Sequence, residues 1–203
     1  MVRKRISRLR KKLRRGKTRR LRKQRGGNPD NPDILANTGA VYPHGQPDID
    51  FNVKFQPNVK NSGTIFGNKM TKSQANAIIS KPETVWNPPS DNTEYTFLCW
   101  DPDITPPDAS GNSTPNNGYL HWLVVNCKGG NAESGTEIVP WTPPAPPSGE
   151  HRYIFAIFKQ AAASTMKPEA APPRENFNIS KFTSDNQLTP YMNGYKGVRV
   201  QAT

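Results

Sequence analysis

Tyr95-Thr96-Phe97-Leu98-Cys99-Trp100-Asp101-Pro102-Asp103 is a near-continuous apolar run of strand length that ends in two carboxylates around a proline. Such a run suits a central strand buried on both faces. Its polar end is where a rigid sheet presents charged groups to a ligand. Two further runs have the same character. His121-Trp122-Leu123-Val124-Val125-Asn126 opens on an imidazole. Tyr153-Ile154-Phe155-Ala156-Ile157-Phe158 follows the loop Pro146-Pro147-Ser148-Gly149-Glu150-His151-Arg152, which brings a second imidazole. The three runs are expected to be adjacent central strands of one sheet, which places His121 and His151 close together.

Outward from these runs the pattern stays β. Ile49, Phe51, Val53 and Phe55 alternate with polar residues, the period of a half-buried strand. The segments Asn87–Asn92, Thr105–Gly118 and Pro140–Gly149 read as loops, and proline falls mostly in connections, where its missing N–H does no harm. Pro140–Pro147 lies between two strands and is read as a rigid loop rather than a polyproline ligand. Helix signals are few. Thr71 and Gln74 form a candidate capping box before Ala75–Ile79, and Asn176–Phe182 is a second short candidate. The fold class is mostly β, with few short helices, and 203 residues suffice for one domain with a real core.

Charge divides the chain. Residues 1–25 hold 15 of the 28 Lys and Arg and none of the 16 Asp and Glu, so the rest carries 13 bases against 16 acids. The expected organisation is a basic arm over 1–25, a Pro/Gly/Asn-rich linker over 26–47 and a folded domain over 48–203. Within the arm, Val2, Ile6, Leu9 and Leu13 fall at helical spacing among Arg3, Lys4, Arg5, Arg8, Arg10, Lys11, Lys12, Arg14 and Arg15, with Arg19, Arg20 and Arg22 beyond Gly16. Dense like charge favours disorder in isolation and helix formation on a polyanion or acidic groove. Nucleic acid, an anionic membrane surface and an acidic protein all fit, and so does a nuclear-import signal. The arm has no aromatic residue on which to stack bases, which argues against sequence-specific single-strand recognition.

Cys99 and Cys127 sit in apolar segments and are read as buried free thiols, not a disulfide framework. No apolar run has the length of a secretory leader or a transmembrane span. A virion or intracellular setting is expected, with the nucleus as the alternative.

The ordered motifs resemble the phosphatidylethanolamine-binding protein family, which includes the Raf kinase inhibitor proteins and the flowering-signal proteins of plants. Lys69–Gln74, Pro82, Trp86, the run into Asp101-Pro102-Asp103, Gly135–Val139, Arg152-Tyr153 and Arg174-Glu175-Asn176-Phe177-Asn178 all carry the likeness, which covers about residues 50–201. The resemblance implies a β-sandwich with an anion pocket formed by Asp101, His121, His151 and Tyr153, rimmed by Pro146 and Pro147 and supported by Asp103 and Trp141. Trp141 stands where many members have Tyr, and Ala145 where Gly is common in animal members. The family's C-terminal helix has no counterpart after Val198–Gln201, which implies a more open pocket.

Two imidazoles and a phenol supply hydrogen-bond donors for a phosphate-bearing ligand, with a carboxylate fixing one imidazole's tautomer and raising its pKa. Asp101, His121 and His151 also imitate a two-His, one-carboxylate metal triad. The resemblance implies an anion site instead, so no metal and no cofactor are expected. No Ser or Cys falls in a nucleophile elbow, and no catalytic residue is assigned. The expectation is therefore a non-enzymatic structural or interaction protein, a virion component tethered through its arm to capsid or other assembly proteins, nucleic acid or both. The alternative is a regulator that binds a phospholipid headgroup or phospho-ligand and inhibits a kinase or protease.

Overall fold

In a computed structural model, residues 51–55, 69–76, 80–88, 92–104, 118–161 and 171–202 are described. The basic arm, the linker and Ile49 lie outside them, as does most of the Thr105–Gly118 loop. In chain order the elements are β1 (Phe51–Lys54), β2 (Lys69–Thr71), α1 (Lys72–Asn76), β3 (Glu83–Trp86), β4 (Tyr95–Asp101) and β5 (Tyr119–Cys127). A 3-10 turn (Ala132–Ser134), β6 (Thr136–Val139), β7 (Glu150–Lys159), α2 (Ile179–Asp185) and β8 (Thr189–Gln201) follow.

Six strands form one sheet in the order β2-β8-β7-β4-β5-β6, and β1 pairs with β3 in a separate antiparallel ribbon. The three apolar runs are thus β7, β4 and β5, side by side at the centre. All pairings in the large sheet are antiparallel except β2 with β8. Their continuous apolar character follows from burial on both faces. Tyr95, Phe97 and Cys99 of β4 join Tyr153, Phe155 and Ile157 of β7 in one core. Leu98 and Trp100 join Ile154, Ala156 and Phe158 in the other.

The first core is closed by the small ribbon, which makes this side of the molecule a sandwich. Alternation in β1 buries Phe51 and Val53 and leaves Asn52 and Lys54 outward. Phe97 is the hub: Trp86 stacks on it at 6.1 Å, and Phe51 and Trp122 meet it edge-on at 6.1 and 5.0 Å. Such aromatic contacts add about 0.5–1.5 kcal/mol each beyond the area they bury. The second core is covered by Phe177, Ile179 and Phe182 around α2.

The short helices are set by caps. Thr71 N–H donates to Gln74 Oε1 at 2.8 Å, and Gln74 N–H returns to Thr71 Oγ1 at 3.2 Å, the reciprocal box that opens α1. The second helix starts three residues later than its sequence pattern suggests. Asn178 is the cap, its side chain accepting from Lys181 N–H, because Phe177 is held in an isolated bridge with Gly118 and Asn176 has a positive φ of 56°. Both cysteines are free and buried, and burial pushes the Cys127 thiol up to about 12. Among the described residues no helix is long and apolar enough to cross a membrane.

Candidate functional site

One irregularity in the central sheet builds the site. Along the β4–β5 pair the register steps from Cys99↔Trp122 to Trp100↔Leu120, leaving His121 as the extra residue of a β-bulge. A bulge bends its strand and re-aims one side chain. Trp122 and Leu120 therefore enter opposite cores, and His121 turns to a cleft of about 180 Å³ beside the end of β4.

The bulged backbone is stapled from outside. Thr142 N–H donates to the His121 carbonyl at 2.9 Å, and Leu120 N–H to the Arg174 carbonyl at 2.8 Å. The Arg174 guanidinium then spans the carbonyls of Leu120, His121 and Pro140, with its bond to Pro140 2.6 Å long. Arg174 thus ties the start of β5 to the loop after β6.

Asp101 is fully buried at the end of β4 and is surrounded by donors. Its Oδ1 accepts Asp103 N–H at 2.7 Å, its Oδ2 accepts from His151 Nδ1 at 2.7 Å, and the Tyr153 hydroxyl bonds it as well. Asp103 turns the other way and grips Arg152. It accepts from the Arg152 backbone N–H at 2.8 Å and from the guanidinium Nε and Nη2 at 2.8 and 2.6 Å. This fork-to-fork contact locks the Asp101-Pro102-Asp103 turn onto the start of β7.

The two imidazoles have opposite electrostatics. Burial pulls His121 down to about 4, outweighing the Thr142 carbonyl and Asp101, which favour the cation; Arg174 and His151 add to the lowering. Burial also pulls on His151, but the hydrogen bond and charge of Asp101, with Asp103 and the Ser148 backbone, together raise it above the ordinary value. Burial and the neighbouring Asp101 push the Tyr153 hydroxyl up, so it stays protonated, while a backbone bond at Ala145 works the other way.

The sequence-derived site residues do not all reach the cleft. Asp101, His121, Tyr153 and Pro146 line the cleft together with Tyr119, Ile104, Thr142, Pro143 and Ala145. His151 is not among the lining residues; it is buried and holds Asp101 in place. Pro147 departs from the expectation: it is exposed and outside the lining, so Pro146 and Ala145 form that edge. Trp141 is half-buried, stacked on Phe155 at 6.1 Å and 6.5 Å from His121, a packing support behind the imidazole. Sequence reading assigned no role to Arg152 or Arg174, although both stand inside motifs it quoted. Their burial beside carboxylate and carbonyl partners depends on strand register. Among the described residues no group of three or more His, Cys, Asp or Glu is disposed to hold a metal ion. A larger cleft of about 340 Å³ lies at Phe177, Phe182 and Lys181 around α2 and contains none of these groups.

The mostly β fold is shared with known proteins. The chain matches the phosphatidylethanolamine-binding protein family model over residues 55–201, and it belongs to that family. It is 35% identical over 149 residues to Protein BROTHER of FT and TFL 1 of Arabidopsis thaliana, covering 72% of this chain and 77% of the relative. It is 32% identical over 140 residues to CEN-like protein 1 of Nicotiana tabacum, covering 66% and 76%. Its fold is similar to that of a carboxypeptidase Y inhibitor solved in complex with its cognate proteinase, with TM-score 0.62, 17% identity and coverage of 84% of this chain and 91% of that one. A phosphatidylethanolamine-binding protein from Plasmodium falciparum gives TM-score 0.52 at 15% identity, covering 83% and 93%.

Proposed function

We propose that this protein is a non-enzymatic regulatory module that takes a small phosphate-type group into the cleft at Asp101, His121 and Tyr153 and acts by engaging a partner protein such as a kinase or protease. The observation that carries this reading is the prearranged cleft itself, whose buried carboxylate already has its donors and whose imidazole is turned inward by a bulge. The chemistry favours binding over catalysis. Among the described residues the cleft lining has no Ser, Cys or Lys, and Tyr153 is kept protonated. Inhibitory regulation is supported by family membership and by the inhibitor of the same fold. The experiment is calorimetric titration of the full chain with inorganic phosphate, O-phosphoserine and dimethyl phosphate. Binding of at least one is expected, with Tyr153→Phe and Asp101→Asn weakening it. No binding of any of the three overturns the reading.

A second role rests on charge. An arm of 15 cations on a domain carrying a small acidic excess is suited to tethering the module to a polyanion or an acidic assembly, such as nucleic acid or a capsid. The arm lies outside the described residues, and a virion, intracellular or nuclear setting belongs to this proposal.

A further inference from the structure

We infer that Arg174 is the positioning residue of the cleft: its guanidinium holds the backbone bulge that turns the His121 side chain inward, and so governs occupancy of the cleft without touching the occupant. The role rests on the proposed phosphate-type occupancy and adds the residue that keeps the cleft in its binding geometry.

The need for such a residue comes from where the sheet stops. β6 runs only to Val139, which stands opposite Leu123. The next pair in that register sets Trp122 against Pro140, and a proline nitrogen has no hydrogen to donate. Among the described residues no strand continues along that side of β5 past this point. On its other side the bulge takes His121 out of register with β4. A bulge disrupts the hydrogen-bond ladder, and Leu120 and His121 are both buried, so carbonyls left unpaired here would be costly.

Arg174 supplies the missing donors. Its Nη1 donates to the Leu120 and His121 carbonyls at 3.0 and 3.2 Å, and its Nη2 to the Pro140 carbonyl at 2.6 Å. Its own carbonyl accepts Leu120 N–H at 2.8 Å, so main chain and side chain both pair with the bulged strand. Phe177 and Gly118 exchange backbone bonds of 2.8 and 3.0 Å just beyond. The stretch from Arg174 to Phe177 thus stands in for the absent strand.

The imidazole depends on this clamp at both ends. Its backbone is set by the bulge. Its ring is set by Thr142, whose carbonyl accepts from His121 Nδ1 at 2.7 Å and whose N–H donates to the His121 carbonyl at 2.9 Å. Thr142 follows closely on Pro140, the residue held by the shortest of the guanidinium bonds. A planar fork of donors can span carbonyls at fixed angles, and a compact ammonium cannot. Arg174 is not in the cleft lining, whereas His121 and Thr142 are, so it acts through them.

The test uses the full chain, first without ligand and then with inorganic phosphate. In heteronuclear NMR the His121 Nδ1–H, held on the Thr142 carbonyl, should give a slowly exchanging signal. Arg174→Lys and Arg174→Gln should each speed that exchange and weaken phosphate binding in calorimetry by about tenfold or more, the scale of one hydrogen bond to a charged group. Phe182→Ala is the control, because it removes packing from the second core without reaching the bulge. It should lower the thermal midpoint and keep the parent's imidazole signal and phosphate affinity. If neither Arg174 variant folds, Pro140→Gly loosens the clamped carbonyl with Arg174 in place and should cause the same two losses. Parental exchange and affinity in Arg174→Lys, or in Pro140→Gly where that variant stands in, overturn the positioning role and leave phosphate binding standing. The same losses in Phe182→Ala also overturn it, since stability alone would then explain them. No phosphate binding by the parent overturns the proposed occupancy, and the exchange rates then decide on their own whether Arg174 positions the imidazole.

Discussion

His121 and His151 are chemically the same residue shifted in opposite directions, and their stability contributions have opposite sign. An unfolded histidine titrates near about 6.5. His121 in the fold titrates near about 4 because it is buried. Between those values the unfolded chain binds more protons, so stability falls as pH drops from about 6.5 and the loss is complete below about 4, a total of about 3 kcal/mol. His151 is raised, so its contribution is present below the ordinary value and is lost as pH climbs through its higher folded value. Urea denaturation across the acid range should show His121→Gln with a shallower decline than the parent; parallel curves would mean the imidazole is not held neutral. The sequence shows both histidines and the carboxylate that serves one of them. It does not show which histidine gets the carboxylate, because the Asp101–His151 bond joins residues 50 apart across β4 and β7.

At the scale of elements, the end of β4 is fixed to the start of β7 by Asp103 and Arg152, and the bulge in β5 is fixed by Arg174. The Arg152 side chain is only 8% exposed against 20% for Asp103, so removing the carboxylate strips a buried cation of its bidentate partner. Asp103→Ala is expected to cost about 3–5 kcal/mol in denaturant melts, the usual range for breaking a buried pair from one side. A cost near that of an exposed pair, under about 1 kcal/mol, would assign the turn's stability elsewhere. Gly118 belongs to the same corner. A Cβ there would stand 2.8 Å from the Asp101 carbonyl oxygen, so the chain entering β5 approaches β4 too closely for a side chain. The strands themselves were legible from their apolar runs. The bulge was not, since Leu120-His121-Trp122 reads as ordinary strand until β4 supplies the register.

For the whole molecule, the uneven distribution of charge predicts that arm and fold are separable. Deleting residues 1–25 should leave the domain's thermal midpoint unchanged and remove polyanion binding. In the full chain, affinity for duplex DNA should fall by roughly 10³–10⁵ between about 50 and 200 mM salt if six to ten phosphates are engaged. Retention of that binding by the truncated chain would locate it on the domain. The mostly β class, the three central strands, the α1 capping box and the buried thiols could all be read from the sequence by itself, because each depends on the periodicity or chemistry of neighbouring residues. The 13-residue β8, the parallel β2–β8 pair and the shift of α2 to Ile179 could not. β8 mixes Tyr195, Val198 and Val200 with Lys196, Arg199 and two glycines, and it becomes a strand by pairing with β7 and β2. The site divides the same way. Residue types announced a carboxylate, two imidazoles and a phenol, but their protonation states and directions were decided by contacts between distant strands, where burial and hydrogen bonding set the charge of each group.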